Sequence, residues 1–482
     1  MNFVQLKDND YEGIPFRNAI KKENVETFEN IYNTLSPIAN NSLNEVISNN
    51  KNLLVFPYDL NAAKDKIGES PIIRIQKEEL DISKSKIYTN NLMGFIGIGN
   101  TQISITSRFC ADDGKDFFLH YMLGKVFDIN LFELNFSTKV AGYFDLLYLM
   151  FPVLFKKAGK QGIYKEYKSY KRNDSKVKGS IDIKRYINRN IPFNGNIAYN
   201  VREYSSDNNV TQLIRHTIEY IKNKAFGTKV LSLDYEMSAI VNQICLYTPS
   251  YSKNDRQKII NKNLKLIAHP YYKEYIPLQR LCLQILRNDK ICYQEDKNKI
   301  YGILFDGAWL WEEFLATVLT NYDKSIIHPR NKIGTDGIRL FANGRTNYYP
   351  DFRLPTKENK NESDIILDAK YKNLLKKDVD GDFPDAKICL PREDKFQMIS
   401  YLHVQKASKG IFLYPFRYQN IEDDNDNNKK SQFAFSKSMM LNGFAGEIYS
   451  IGFPIIQTAK DLAEYSKHMD EIVGKFSLTK NQ

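Results

Sequence analysis

Residues 348–372 read YYPDFRLPTKENKNESDIILDAKYK, and their reading decides the fold of the last third of the chain. Two short apolar or aromatic runs lie in this stretch, each carrying charge where a buried strand should have none. The first ends in Pro350-Asp351, and the second is Ile365-Ile366-Leu367-Asp368-Ala369-Lys370-Tyr371-Lys372. Residues i and i+2 of a strand share a face. Asp368 and Lys370 therefore project together, while Leu367, Ala369 and Tyr371 point the other way into a core. Asp351 lies one hairpin earlier. Two acids and a lysine on the edge of a small sheet suit metal-dependent phosphodiester cleavage, so the stretch is a candidate nuclease centre.

The flanking segments extend this pattern. Asp306 to about Tyr322 is amphipathic, with Leu310, Phe314, Leu315 and Val318 on its buried side and Glu312 and Glu313 in its early turns. Strands are expected at Ser325–His328 and Gly337–Phe341, a helix from Pro391 to about Lys406, and a strand at Gly410–Phe416. On that helix Gln397 and Tyr401 stand at i and i+4 and share a face, with Phe396, Ile399 and Leu402 as its buried stripe. An amide and a phenol so placed can hydrogen-bond a phosphate or a metal-bound water. Mg²⁺ takes hard oxygen ligands, usually one or two carboxylates with water and substrate phosphate. Asp351, Asp368, the carbonyl of Ala369 and Glu312 can supply them, and Mn²⁺ could replace Mg²⁺. Lys370 can then position water and offset charge growing on the phosphate.

An acid two residues before a lysine recurs in this chain, as at Asp113/Lys115, Glu166/Lys168 and Glu393/Lys395. Asp182/Lys184 is the serious rival, because Ile181 and Ile183 flank it as in a strand. It has no Pro-Asp at hairpin distance upstream and no acid-bearing helix just before it.

The chain has 482 residues, enough for several domains. Its 68 Lys and Arg exceed its 57 Asp and Glu by 11, which favours a polyanionic partner such as nucleic acid. Five scattered cysteines without a CxxC pair argue against a disulfide framework or a zinc knuckle and fit a reducing cytoplasm. The N-terminus lacks a signal-peptide layout. The most apolar window, Val140 to Phe155, is broken by Asp145 and Pro152 and reads as a buried helix, so no membrane association is expected.

Upstream, residues 14–36 hold a helical spacing, and PIIRIQ, KIYTNN, MGFIGIG and QISITSRF between 71 and 109 read as short strands of a barrel or sandwich. Gly94, Gly97 and Gly99 mark a bulged strand rather than a phosphate loop, and no GxxxxGK[ST] occurs. A basic, tyrosine-rich segment follows, with Tyr164, Lys165, Tyr167, Lys168, Tyr170, Lys171 and Arg172 at its start. Aromatic residues interleaved with positive charge suit a phosphate backbone or a partner protein, and equally a solvated basic face beside a structural turn. The remainder of the middle region, to about residue 286, reads as packed helices.

Pro350-Asp351…Asp368-Ala369-Lys370, with Gln397-xxx-Tyr401 on the next helix, resembles the PD-(D/E)XK nuclease superfamily in its QxxxY branch. LWEEFL, PDF, IILDAKYK, DKFQMISYLH and IFLYPF resemble McrC, the nuclease subunit of modified-cytosine restriction systems. NLMGFIGIGNTQISITSRF, KKAGKQGIYKEY and VKGSIDIKRYINRNIPFNGNIAYNVREYSSDNN extend the likeness to McrC-type subunits of LlaJI-like systems. The resemblance implies that Asp351, Asp368 and Lys370 occupy the signature positions. Glu312, or its neighbour Glu313, would be the helix acid. It also implies a Mg²⁺-dependent endonuclease of double-stranded DNA that docks on, and stimulates, a McrB-like AAA+ GTPase ring. A stand-alone repair or recombination nuclease and a non-catalytic activator of such a ring are the alternatives. The expected architecture is α+β and multidomain. It has an N-terminal β-rich domain over 1–110, a mostly helical middle region over 111–300, and a PD-(D/E)XK α/β nuclease core (αβββαβ) over 301–482.

Overall fold

The computed structural model describes residues 2–21, 28–50, 53–57, 67–111, 114–128, 143–224, 227–232, 234–291, 300–329, 337–344, 347–355, 363–372, 374, 390–418, 433–436, 438–443 and 446–478. The acidic 420–430 loop expected from the sequence lies outside them. The fold is α+β and forms two compact units, one of 1–143 with 296–482 and one of 144–295. Composition draws boundaries near 110 and 300, whereas the compact units break at 143 and 295.

The first unit opens with β1 (Asn2–Lys7), β2 (Ile14–Pro15), α1 (Phe16–Ala19) and β3 (Ile20–Lys21). A single helix over 14–36 does not form. Ile20 turns extended (φ −96°, ψ 116°) and pairs with Val4 of β1. Tertiary pairing here overrides helical spacing. Then come α2 (Phe28–Leu35), and α3 (Leu43–Asn49), whose Ser42 and Glu45 form a reciprocal capping box. The strands β4 (Leu53–Phe56), β5 (Ile73–Gln76), β6 (Lys86–Thr89), β7 (Leu92–Ile98) and β8 (Thr101–Thr106) precede α4 (Phe117–Phe127).

The second unit comprises most of α5 (Tyr143–Gly159), then β9 (Glu166–Asp174), β10 (Ser180–Ile181), α6 (Ile183–Asn190) and β11 (Ile197–Ser205). Helices α7 (Asn209–Lys222), α8 (Gly227–Leu231), α9 (Tyr235–Tyr247), α10 (Arg256–Lys262) and α11 (Tyr275–Ile291) complete it. The helices pack as expected, with Val210, Leu213, Ile214, Ile218 and Ile221 of α7 all buried. The start of the basic segment, however, is a strand rather than a helix. β9 and β11 pair antiparallel over nine residues, from Glu166↔Ser205 to Asp174↔Ile197, with β10 on the far side of β11. No residue of β9 is buried, so its sequence has no apolar period to announce a strand.

The chain returns to the first unit at β12 (Ile300–Asp306), followed by α12 (Gly307–Tyr322), β13 (Phe352–Pro355), β14 (Ser363–Ala369) and α13 (Arg392–Gln405). β15 (Lys409–Tyr418), β16 (Ala434–Phe435), β17 (Met439–Met440), β18 (Glu447–Ile456) and α14 (Leu462–Gly474) end it. The strands expected at Ser325–His328 and Gly337–Phe341 reduce to single bridges, Ile327↔Arg353 and Ile338↔Tyr348.

Two six-stranded sheets organise this unit. In the order β3-β1-β8-β7-β12-β4, β1 runs parallel to β8, while β12 is antiparallel to β7 and parallel to β4. Gly94 of β7 has φ +133°, and a Cβ there would stand 2.2 Å from the carbonyl oxygen of Ile303 on β12. Only glycine permits that approach. The small sheet β2-β6-β5 is not hydrogen-bonded into this ladder but shares its hydrophobic core, through Ile73, Ile75 and Ile87. The second large sheet runs β13-β14-β15-β18-β16, with β17 also pairing β18; β14, β15 and β18 are parallel and β13 is antiparallel at its edge. Met398 and Leu402 of α13 pack against Gly410 of β15 on one face. Trp311 of α12 packs on the other, donating from Nε1 to the Leu413 carbonyl at 3.3 Å and meeting Phe453 at 5.5 Å.

Candidate active site

β14 brings the charged residues together because its two faces do different work. Ile366 joins the core under α13, and Asp368 and Lys370 follow it at two-residue steps on that same face. Leu367 and Tyr371 are buried on the other. The Lys370 ammonium lies 2.7 Å from Asp368 Oδ2, so the two residues do project together. Phe352 pairs with Leu367, and continuing that antiparallel register by one sets Asp351 opposite Asp368. Asp351 is 3% exposed and Asp368 2%. Asp351 Oδ2 accepts from the Ala369 backbone N–H at 2.8 Å. That bond ties the edge strand to the residue between Asp368 and Lys370.

One acid in this cluster was not singled out from the sequence. Asp394, in the first turn of α13, places Oδ1 3.1 Å from Lys370 Nζ, and its other oxygen lies 3.8 Å from Lys372. An acid in a first helical turn reads as a partner of the helix dipole, and nothing in its spacing announces a partner from another element. Gln397 and Tyr401 continue the same helical stripe at i+3 and i+7 from Asp394. Gln397 Nε2 donates to Tyr401 Oη at 3.2 Å, with Gln397 exposed and Tyr401 buried in the core. Of the expected buried stripe, Leu402 is buried and Ile399 packs against the same core, but Phe396 does not. Phe396 is exposed, with Arg392 stacked at 5.1 Å, and Met398 takes its place inside.

Glu312 comes to the neighbourhood from α12. Its Oε1 is 3.0 Å from His328 Nε2, and the His328 ring packs 4.5 Å from that of Phe352, the residue after Asp351. Phe352 faces the α12 side of the sheet with Leu367, so Glu312 sits behind the strand pair that carries the aspartates. Glu313 is half-buried.

The rival pair dissolves. Asp182 caps α6, accepting from the Arg185 N–H at 3.1 Å and pairing with the Arg185 guanidinium at 2.8 Å, and Lys184 lies exposed within the helix. Asp182 does the work of a helix cap.

Chemically, the cluster offers two buried carboxylates on adjacent strands and one ammonium whose charge is shared with a third carboxylate. Among the described residues, no group of three or more His, Cys, Asp and Glu side chains is arranged to hold a metal ion. Two carboxylates with water nonetheless form a donor set that suits Mg²⁺.

Residues 87–415 match the family described as McrBC 5-methylcytosine restriction system component. No curated protein matches the chain. Among solved structures, one similar to it is a refined half-complex from a tetradecameric assembly of Thermococcus gammatolerans McrB AAA+ hexamers with bound McrC. The identity is 14% and the TM-score 0.47, with 98% of this chain and 99% of that chain covered. A cryo-EM structure of the Thermococcus gammatolerans McrBC complex is similar at 14% identity and a TM-score of 0.33, over 66% of this chain and 87% of that chain.

Proposed function

The chain belongs to the McrBC family, and from that premise we propose that it is the endonuclease subunit of a restriction complex. It would cut phosphodiester bonds of double-stranded DNA with Mg²⁺ and dock on a McrB-like AAA+ GTPase that it stimulates. The sheet β13-β14-β15-β18 with α12 and α13 is read as a PD-(D/E)XK core. The observation that carries this reading is the Asp368–Lys370 pair on one face of β14, with Asp351 opposite and bonded to the Ala369 N–H.

Asp351 and Asp368 would hold Mg²⁺, with the Ala369 carbonyl as a further oxygen donor. The bound ion would polarise the scissile phosphate and lower the pKa of a water beside it. Lys370 would orient that water and meet the charge that gathers on the phosphate oxygens. Asp394 would hold the Lys370 ammonium in place. Gln397, exposed and bonded to Tyr401, would offer its amide to a DNA phosphate. Glu312 would act through His328 and Phe352 on the placement of Asp351.

Docking is supported in the second unit, where Ile181, Ile183, Ile187, Ile191 and Phe193 are all more than half exposed around α6. Apolar side chains gathered on a surface mark a protein contact.

A structural reading of the same charges has its own support. Lys370 lies within ion-pair distance of two carboxylates, as in a buried salt-bridge network. The test is supercoiled plasmid incubated with Mg²⁺, with and without the AAA+ partner and GTP. Asp351→Ala and Lys370→Ala should each abolish cutting while leaving partner binding and GTPase stimulation intact. Cutting at the wild-type rate by either variant would remove the assignment, and Asp182→Ala should cut normally.

A further inference from the structure

The nine-residue ribbon of β9 and β11 carries an unpaired basic face at a distance from any catalytic side chain in the sequence. Residues 164–205 hold ten Lys and Arg against four Asp and Glu, so this short segment supplies +6 of the chain's +11. Its two faces are not equivalent. On one, the charges are already used. Arg172 pairs with Glu203 at 2.7 Å, Lys168 donates to the Asp207 carbonyl, and both cations lie over the Tyr170 ring. On the other face stand Tyr167, Lys171, Arg202 and Tyr204, all exposed. Lys165, one residue before the strand, falls on that same alternation.

The second face is built rather than incidental. Tyr167 and Tyr204 oppose one another in the register, with ring centroids 5.1 Å apart, and Arg202 lies 5.4 Å over Tyr167. Lys171 pairs with Asn200, which makes Arg202 its diagonal neighbour at about 7 Å. Lys165 and Lys171 form no ion pair among the described residues. Nine paired residues span about 30 Å, and aromatic rings beside free cations are what a nucleic-acid strand stacks and tracks on. The apolar side chains lie elsewhere, on and around α6 at the Asp174–Ile197 end, so the basic face has little for a protein core to bury.

We infer that this face of the β9–β11 ribbon binds the phosphate backbone of DNA, as a second contact outside the cleavage site. The inference rests on the reading that DNA is the substrate, and it locates where the second unit holds that substrate. Lys165, Lys171 and Arg202 contact phosphates, and Tyr167 and Tyr204 stack on bases where the strand is unpaired.

The test is fluorescence anisotropy of the full-length chain in EDTA, which stops cleavage. Labelled 30-mers of random sequence, duplex and single-stranded, are titrated between 50 and 200 mM salt. Lys171→Glu/Arg202→Glu should weaken both DNAs about tenfold or more and lower the slope of log K against log salt by about two. Tyr167→Ala should weaken the single strand more than the duplex. Should the double variant lose its fold, as read by its melting temperature, Lys165→Gln/Lys171→Gln replaces it with the same expectation. Affinity and slope within twofold of wild type would overturn the inference. So would unchanged DNA binding with loss of the AAA+ partner, which would make the face a protein contact. Plasmid cleavage run in parallel separates the two readings. Wild type that cuts, beside ribbon variants that bind normally, sinks this inference alone. Ribbon-dependent binding without any cutting sinks the nuclease reading alone.

Discussion

Lys370 stands between Asp368 and Asp394, and the lengths of the two contacts, 2.7 and 3.1 Å, make both partners part of its setting. Asp368 is fixed by its strand, but Asp394 arrives with α13. Removing its charge should let the ammonium move without disturbing the strand. Asp394→Asn is therefore expected to lower kcat about tenfold, on the order of 1.4 kcal/mol in the barrier, with KM for DNA little changed. An unchanged kcat in plasmid cleavage would show that Asp394 does not position Lys370. Elsewhere two buried groups set opposite pH dependences. Burial, reinforced by Arg256, lowers His216 from 6.5 to about 4. The unfolded chain then binds the extra proton, so this contribution is whole above pH 6.5 and is lost as pH falls towards 4. Burial raises Asp116 from 3.8 to about 6 against its bonds from the Ser107 and Leu119 N–H groups. Its contribution is whole below pH 3.8 and is lost as pH rises towards 6. His216→Leu removes the first effect only. Wild type should lose melting temperature relative to this variant between pH 6.5 and 4 and keep a constant difference above pH 7. A difference that stays constant across the whole range would contradict the burial argument.

At the scale of elements, what could be read in the sequence was what is local. Asp351, Asp368 and Lys370 lie within one hairpin, where a two-residue period and a strand setting are enough to bring them together. α7, α12 and α13 announced themselves through apolar periods of their own. β1, β4 and β12 did not, because each is a strand only by virtue of partners far along the chain: Asn2–Lys7 beside Thr101–Thr106, and Ile300–Asp306 between Leu92–Ile98 and Leu53–Phe56. β9 escaped for the opposite reason, having neighbours but no buried face. Asp394 escaped because a helix-start acid has an ordinary explanation. The glycines of β7 read as a bulge, but its register with β8 and β12 runs unbroken, and Gly94 instead serves the close approach of β12. Gly94→Ala would drive a methyl into the Ile303 carbonyl in a backbone region closed to alanine. A loss on the order of 3 kcal/mol is expected, measurable as a lower denaturant midpoint. Wild-type stability would mean that β7 and β12 can separate at little cost.

Across the whole molecule, the two units differ in character. One unit carries the acids and the lysine on a parallel sheet. The other carries helices and, over residues 164–205, a basic segment with more than half of the chain's net charge. Within the first unit, the two ends of the sequence are laced together around residues 107–110. Tyr371, the residue after Lys370, places its hydroxyl 3.0 Å from Ser107 Oγ and its ring under the Arg108 guanidinium at 4.7 Å. Arg108 is held in turn by Asp8 at 2.7 Å. Arg417 at the end of β15 reaches back to the carbonyls of Arg108 and Cys110, and Gln457 to that of Phe109. Tyr371 is 4% exposed only because segments from the beginning of the chain cover it. A truncated polypeptide of residues 301–482 would lose that cover, and β12 would lose both its neighbours. It should express as an insoluble or unfolded product, as judged by circular dichroism. A soluble, cooperatively melting fragment would show the lacing to be dispensable. The same lacing has a meaning for inheritance. A recombination event that swapped only the last third between two such genes would replace every partner that Tyr371, Arg417 and Gln457 present to residues 107–110 at once, so the site and the N-terminal sheet should travel as a single hereditary block.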